Sequence, residues 1–240
     1  MPLKELVERR NMLHRKSDAQ SVLRHALNDA EIGQIALVSS FGAESVVLLH
    51  MAAQIRPDVP VIFLDTEMLF PETLDYQRKV AQMLGLTDVR VITPSRNAVL
   101  TEDVDGLLHQ AEPDACCDLR KTRPLEQALA GFDGWITGRK RYQGGQRAVL
   151  PLFEKEGRKI KINPLANWAA DDLKAYIADQ GLPRHPLVAK GYPSIGCMPC
   201  TTRVGDHEDP RAGRWRDMEK TECGIHIAPG RGAMRVLAAQ

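Results

Sequence analysis

Four short, largely apolar runs punctuate the first 140 residues: Ile35–Val38, Val61–Leu64, Val89–Ile92 and 135–137. Runs of this length suit strands buried on both faces. The segments between them repeat apolar residues every three or four positions, which predicts helices. Residues 1–30 read as helix through Leu6, Met12, Leu13, Val22, Leu23, Ala26 and Leu27. A polar, glycine-containing loop at 39–45 precedes a second helix at 46–53. Pro71 opens a third, running to about Leu84 with Gly85 as its stop. Further on, residues 149–153 and 159–162 flank a hairpin-like 154–157, and 169–179 read as helix. Thereafter Pro and Gly become frequent and periodicity fades. The alternation predicts an α/β fold: a doubly wound, mostly parallel sheet whose ligands bind beyond the carboxyl ends of its strands. The expected division is a helical segment at 1–30, a nucleotide-binding α/β domain at 31–205 and an irregular tail at 206–240.

Composition narrows the function classes. A chain of 240 residues with 32 Lys and Arg against 31 Asp and Glu has a net charge of +1. That balance argues against nucleic-acid binding but leaves room for a local basic pocket. Its charged N-terminus has no signal-like apolar stretch, and no window reaches membrane-spanning length. The expectation is a cytoplasmic protein with no membrane partner; a homo-oligomer stays open. In a reducing compartment the five cysteines are not a disulfide framework.

Three places carry candidate chemistry. The loop at 39–45, between a strand and a helix, has the form of a phosphate cradle with free backbone amides, yet lacks the Gly-Lys-Ser/Thr ending of a Walker loop. Cys116-Cys117 and Cys197-Met198-Pro199-Cys200 form a thiol quartet suited to zinc or to an iron–sulfur cluster. Adjacent ligands sit more easily on separate iron atoms than on one tetrahedral ion. Lone Cys223, near His226, has the makings of a thiolate nucleophile. Lys121, Arg139, Arg147, Arg211, Arg214 and Arg216 are candidate hosts for an anionic substrate, whereas 155–161 reads as solvated surface.

In order, Cys116-Cys117 with Lys121, Gly196-Cys197-Met198-Pro199-Cys200-Thr201 and Glu222-Cys223-Gly224-Ile225-His226 resemble the assimilatory adenylyl-sulfate reductases, within the wider adenosine 5′-phosphosulfate (APS) and 3′-phosphoadenosine 5′-phosphosulfate (PAPS) reductase family. Residues 39–45 stand where that family has its modified pyrophosphate loop. Leu64-Asp65-Thr66 matches its second nucleotide motif, and 138–147 its arginine loop. Ile225 replaces a more usual leucine. The resemblance implies an adenine-nucleotide α-hydrolase-like (PP-loop) fold and one [4Fe-4S] cluster on Cys116, Cys117, Cys197 and Cys200. It implies a nucleotide held by Ser39, Ser40, Leu64, Thr66 and Gly138, with Lys121, Arg147, Arg211 and Arg214 around the phosphosulfate. Cys223 becomes the nucleophile, with His226 assisting, and reduced thioredoxin or a glutaredoxin-like dithiol the electron donor. Keeping both cysteine pairs favours APS over PAPS, with a dual-substrate enzyme as the alternative. Two more distant readings are an ATP pyrophosphatase, whose Ser-Gly-Gly-x-Asp-Ser loop is not matched here, and an iron–sulfur or zinc redox sensor.

Overall fold

A computed structural model describes residues 1–216 together with Met218, Lys220 and 222–226. Strands β1 (Ile35–Val38), β2 (Val61–Leu64), β3 (Val89–Ile92), β4 (Gly134–Ile136), β5 (Phe153–Glu156) and β6 (Lys159–Ile162) form one sheet ordered β3-β2-β1-β4-β6-β5. All neighbours are parallel except β5 and β6. This is the doubly wound sheet expected from the sequence. Because the chain leaves β1 toward β2 on one side and reaches β4 on the other, the loops after β1 and β4 diverge and leave a crevice.

Side chains alternate across the sheet with the two-residue period of a strand. Leu37, Val61, Phe63 and Ile136 point into the larger apolar layer, while Ala36, Ile62 and Trp135 point into a smaller one with Leu125, Leu129 and Phe132. The larger layer is covered by α3 (Ser45–Ile55), α4 (Pro71–Met83) and α9 (Ala170–Asp179).

Two expectations about element boundaries shift. The single helix at 1–30 is two, α1 (Leu3–Leu13) and α2 (Ala19–Asn28), because the Asp18 carboxylate accepts the Ser21 amide at 2.7 Å and starts a fresh helix. The hairpin's first arm is Phe153–Glu156 rather than 149–153, so 154–156 are strand residues and the turn falls at Gly157 with φ +60°. Asn11 fixes this edge: its amide accepts the Phe153 N–H at 3.0 Å and donates to the Phe153 carbonyl at 2.7 Å.

Short helices connect the rest of the cysteine side: α5 (Arg96–Glu102), α6 (Leu108–Ala111), α7 (Pro113–Cys117) and α8 (Arg123–Ala128). A π-helical turn, Asp118–Thr122, separates α7 from α8. No helix among the described residues is long and apolar enough to cross a membrane.

Candidate active site

The strand-end loops form one wall of a cavity of about 380 Å³. After β1, buried Phe41 adopts φ +46° and sets its ring edge-on to Phe63, 5.3 Å between centroids. A non-glycine residue held there costs about 1–3 kcal/mol, so the surrounding packing has to impose it. The Phe41 and Gly42 amides donate to Ser39 Oγ (3.1 Å) and Ser45 Oγ (2.9 Å). Two of the amides that the sequence offered to an anion are thus already engaged, leaving the start of α3 as the main positive feature of this turn.

Glu44 joins this loop to the one after β4. Its carboxylate accepts Lys140 Nζ and the Tyr142 hydroxyl, both at 2.6 Å. Sequence reasoning gave Glu44 no such role, since nothing local marks a partner 96 residues away. Arg139 is anchored by Glu154, Thr137 and Asn163, and burial pushes its pKa down to about 10.

The opposite wall is built by irregular segments pinned with polar contacts. Arg120, buried in the π-helical turn, donates to Asp103 Oδ2 at 3.0 and 2.7 Å and to the Thr66 carbonyl at 2.9 Å. This ties the cysteine side to the end of β2. Lys121 Nζ lies 3.9 Å from Cys117 Sγ. The backbone of Cys197 bridges Leu69, and the Thr66 hydroxyl lies 3.2 Å from Cys197 Sγ. Thr201 bridges Arg214, and the Trp215 amide donates to the Cys200 carbonyl at 3.1 Å. Gly196 gives the Arg214 guanidinium room, since a Cβ there would meet it at 2.2 Å.

Electrostatics separates the thiols. Burial, then nearby Cys197, pushes Cys116 up to about 11. Cys223 moves the other way, well below the ordinary thiol range: a hydrogen bond from Cys117 acts first, and Lys121 and Arg214 add to it against burial. Burial opposes the charge on Lys121, but Cys223, Cys197 and Cys117 outweigh it and raise its pKa.

Among the described residues no group of three or more His, Cys, Asp or Glu side chains is gathered to hold a metal ion. The donor set suits a larger group: four thiols, with Cys116 close enough to Cys197 and Cys200 for their charges to raise its pKa.

The tail closes the cavity. Arg147 donates side-on to the Glu222 carboxylate, Nε to Oε2 at 2.5 Å and NH2 to Oε1 at 2.7 Å. Arg211 lies 3.9 Å from the same carboxylate, and the Cys223 amide donates to its Oε1 at 2.9 Å. His226 stacks on Trp135 at 6.0 Å with 7° between ring planes. Burial first, then Lys161 and Arg139, holds it well below its ordinary pKa, so the ring is neutral.

The structure brings Ser39, Ser40, Leu64, Thr66 and Gly138 to this cavity, together with Lys121, Arg147, Arg211, Arg214, Cys197, Cys223 and His226. Cys116, Cys117 and Cys200 do not line it. Two readings of charge are corrected. Arg216 pairs with Glu208 at 2.8 Å and does not line the cavity. Lys161, read as solvated surface, is buried: it donates to Glu156 at 2.7 Å, sits 4.3 Å over the Trp135 ring and is pushed by burial down to about 8. It lies on β6, with β5 and β4 on either side, so strand alternation decides its fate rather than local charge density. Asp217, Glu219, Thr221 and residues 227–240 of the expected tail lie outside the described residues.

The phosphoadenosine phosphosulfate reductase domain family matches residues 34–203. The adenosine 5′-phosphosulfate reductase of Mesorhizobium japonicum is 52% identical over 195 residues, covering 81% of this chain and 77% of that protein. That of Chelativorans sp. is 46% identical, covering 90% and 88%. Among solved structures, the phosphoadenylyl-sulfate reductase of Candida auris, in its phosphate complex, superposes with a TM-score of 0.71 at 30% identity, covering 85% of this chain and 98% of that one. Yeast FAD synthetase, at 15% identity and a TM-score of 0.54, covers 83% of this chain and 74% of its own and shares the fold. The chain belongs to the phosphoadenosine phosphosulfate reductase family.

Proposed function

We propose that the chain reduces adenosine 5′-phosphosulfate to sulfite and AMP in sulfate assimilation. The observation that carries this reading is the position of Cys223: a thiol in the cavity wall, with Lys121 and Arg214 around it and the strand-end loops across from it. Adenine and ribose sit against Ser39, Ser40, Leu64 and Gly138, and Thr66 borders the same end. Lys121, Arg147, Arg211 and Arg214 face the phosphosulfate and offset charge on the departing phosphate. The Cys223 thiolate attacks sulfur, the sulfur–oxygen bond to phosphate breaks, AMP leaves with that electron pair, and S-sulfocysteine remains. A dithiol of thioredoxin type then attacks Cys223 Sγ. Sulfite departs with the sulfur–sulfur bonding pair, and a second thiol resolves the mixed disulfide, so the dithiol supplies both electrons. His226, neutral and stacked on Trp135, orients the tail beside Cys223. The protein acts in the cytoplasm.

Cys116, Cys117, Cys197 and Cys200 would hold a [4Fe-4S] cluster, which when bound ties α7 to the 197–201 segment and sets the field around Lys121. Iron and sulfide analysis with the visible spectrum tests this assignment; zinc alone in active protein overturns it.

The reaction is tested by incubating anaerobically purified protein with adenosine 5′-phosphosulfate and mapping its peptides by mass. The expected result is a sulfonate on Cys223, released as sulfite by reduced thioredoxin. No adduct on that peptide rejects the mechanism. Running the 3′-phosphorylated nucleotide in parallel tests the second reading, which the Candida auris relative favours; faster turnover of that nucleotide would select it.

A further inference from the structure

In the basic loop 139–147 three of the four cations meet carboxylates, while Arg141 donates to the Leu150 carbonyl. Arg139 pairs with Glu154 and Lys140 with Glu44, both contributed by the sheet and its strand-end turns. Arg147 differs, because its carboxylate, Glu222, comes from the tail and immediately precedes Cys223. The third guanidinium nitrogen of Arg147 donates to Gln143, so all three nitrogens are engaged. Arg211 faces the same carboxylate, and Glu222 Oε1 also accepts the Cys223 amide. Glu222 is 7% exposed although it borders the cavity. One acidic group thus occupies the fork of an arginine that faces the cavity and fixes the backbone of the cysteine there.

A side-on carboxylate on Arg147 uses the same two parallel N–H bonds that a phosphate or sulfate oxygen pair would use. Both anions cannot hold that fork together, and bringing them side by side in a buried cavity would set like charges against each other. We propose that Glu222 is an internal competitor of the substrate's anionic group: the phosphosulfate takes Arg147 and Arg211 from it, and displacement of the carboxylate frees the Cys223 amide. Anion binding and tail release then become one event. Cys223 leaves its pinned position only when a nucleotide anion has replaced Glu222. Glu222 is a positioning residue on this account. The inference rests on the functional reading above and goes beyond it by naming what the substrate must displace.

The test uses ADP, whose diphosphate imitates the phosphosulfate without a transferable sulfonate, titrated calorimetrically into anaerobically purified wild-type, Glu222→Gln and Glu222→Asp proteins. Replacing the carboxylate by an amide removes the competitor, so Glu222→Gln binds ADP about tenfold tighter, whereas Glu222→Asp stays near wild type. A structural carboxylate that merely orders Arg147 gives the opposite sign, and unchanged or weaker binding by Glu222→Gln overturns the proposal. Hydrogen exchange on the wild-type protein provides a check that needs no variant. Saturating ADP accelerates exchange at the Cys223 amide if the carboxylate is displaced; equal or slower exchange overturns it. Failure of the wild type to bind ADP at all rejects the nucleotide reading of the cavity and this inference with it. Binding without tightening in Glu222→Gln rejects this inference alone.

Discussion

The two walls of the cavity are held by different physics. The strand-end wall rests on the apolar layer beneath it: Leu37, Phe63 and Phe41 are fully buried and fix the turn after β1 by packing. The facing wall, formed by the cysteine helices, the 197–201 segment and the tail, has few such residues. It is fastened by buried ions and backbone bridges, among them Arg120 with Asp103 and Arg147 with Glu222. A packed layer loses stability in proportion to the volume removed. A charged pin fails at once when one partner goes, because the other is left buried and unpaired. The chemistry therefore sits on the wall that a single substitution displaces most readily.

Substitutions can probe this contrast. The largest effect is expected from Cys223→Ser, which lowers sulfite release by about a thousandfold or more while leaving the thermal midpoint and ADP affinity near wild type. Sulfite formation by that variant would remove Cys223 from the reaction. Next come two changes matched in stability. Phe63→Ala and Asp103→Ala should each cost about 3–5 kcal/mol in denaturant unfolding, the first by opening a cavity, the second by leaving the buried Arg120 guanidinium only the Thr66 carbonyl and the more distant Glu67 carboxylate. Their activities should part: folded Phe63→Ala keeps most of its turnover, while folded Asp103→Ala loses it as Thr66 and the π-helical turn shift. Equal turnover in the two would erase the distinction between the walls.

Acid should destabilise the fold through His185, which ties the 185–190 turn to α4. This ring accepts the Leu187 amide at Nδ1 (3.2 Å), so its proton lies on Nε2, 3.1 Å from the Thr73 hydroxyl of α4. Burial pushes its pKa from 6.5 down to about 4. Between those values the unfolded chain binds a proton that the folded chain refuses. Stability therefore falls as pH drops from 6.5 toward 4, by up to about 3 kcal/mol, and this contribution is complete above 6.5. Urea midpoints across that interval measure it, and His185→Asn should flatten the dependence. The smallest effect belongs to Gly196→Ala. The added methyl meets only the flexible end of Arg214, so stability changes by about 1 kcal/mol or less, while ADP binds several-fold more weakly because that guanidinium has moved. A calorimetric titration showing unchanged affinity would detach Arg214 from the nucleotide.

The same contrast explains how much could be read without coordinates. The strands at 35–38 and 61–64 were legible because near-complete burial leaves an apolar run with sharp polar ends, whereas 89–92, read the same way, is an edge strand with Arg90 and Val91 exposed, and only its β-branched residues marked it. The cysteine pairs and the tail motif were legible as chemistry, since their spacing points to a use for thiols. Pairings across long separations were not. Glu44 with Lys140, Asp103 with Arg120 and Asn11 with Phe153 depend on which loops the sheet brings together, and no local pattern encodes that choice. Lys161 was misread for a related reason: a lysine in a charged stretch resembles solvent-facing surface until the neighbouring strand is known to cover it. The break between α1 and α2 was visible at Asp18 in principle, but apolar spacing on both sides hid it.

The isolated bridge between Leu69 and Cys197 has a consequence for assembly. Cys116 and Cys197, close enough for their charges to interact, lie 81 positions apart in the chain, and α8, β4, the β5–β6 hairpin and α9 all intervene. These sulfurs become neighbours only after β4 and β6 have been laid into the sheet, since long-range closures come late in folding. Loading of the proposed four-thiol site is then a late event, performed on a chain whose architecture already exists, and its rate should follow completion of the sheet rather than synthesis of the last cysteine.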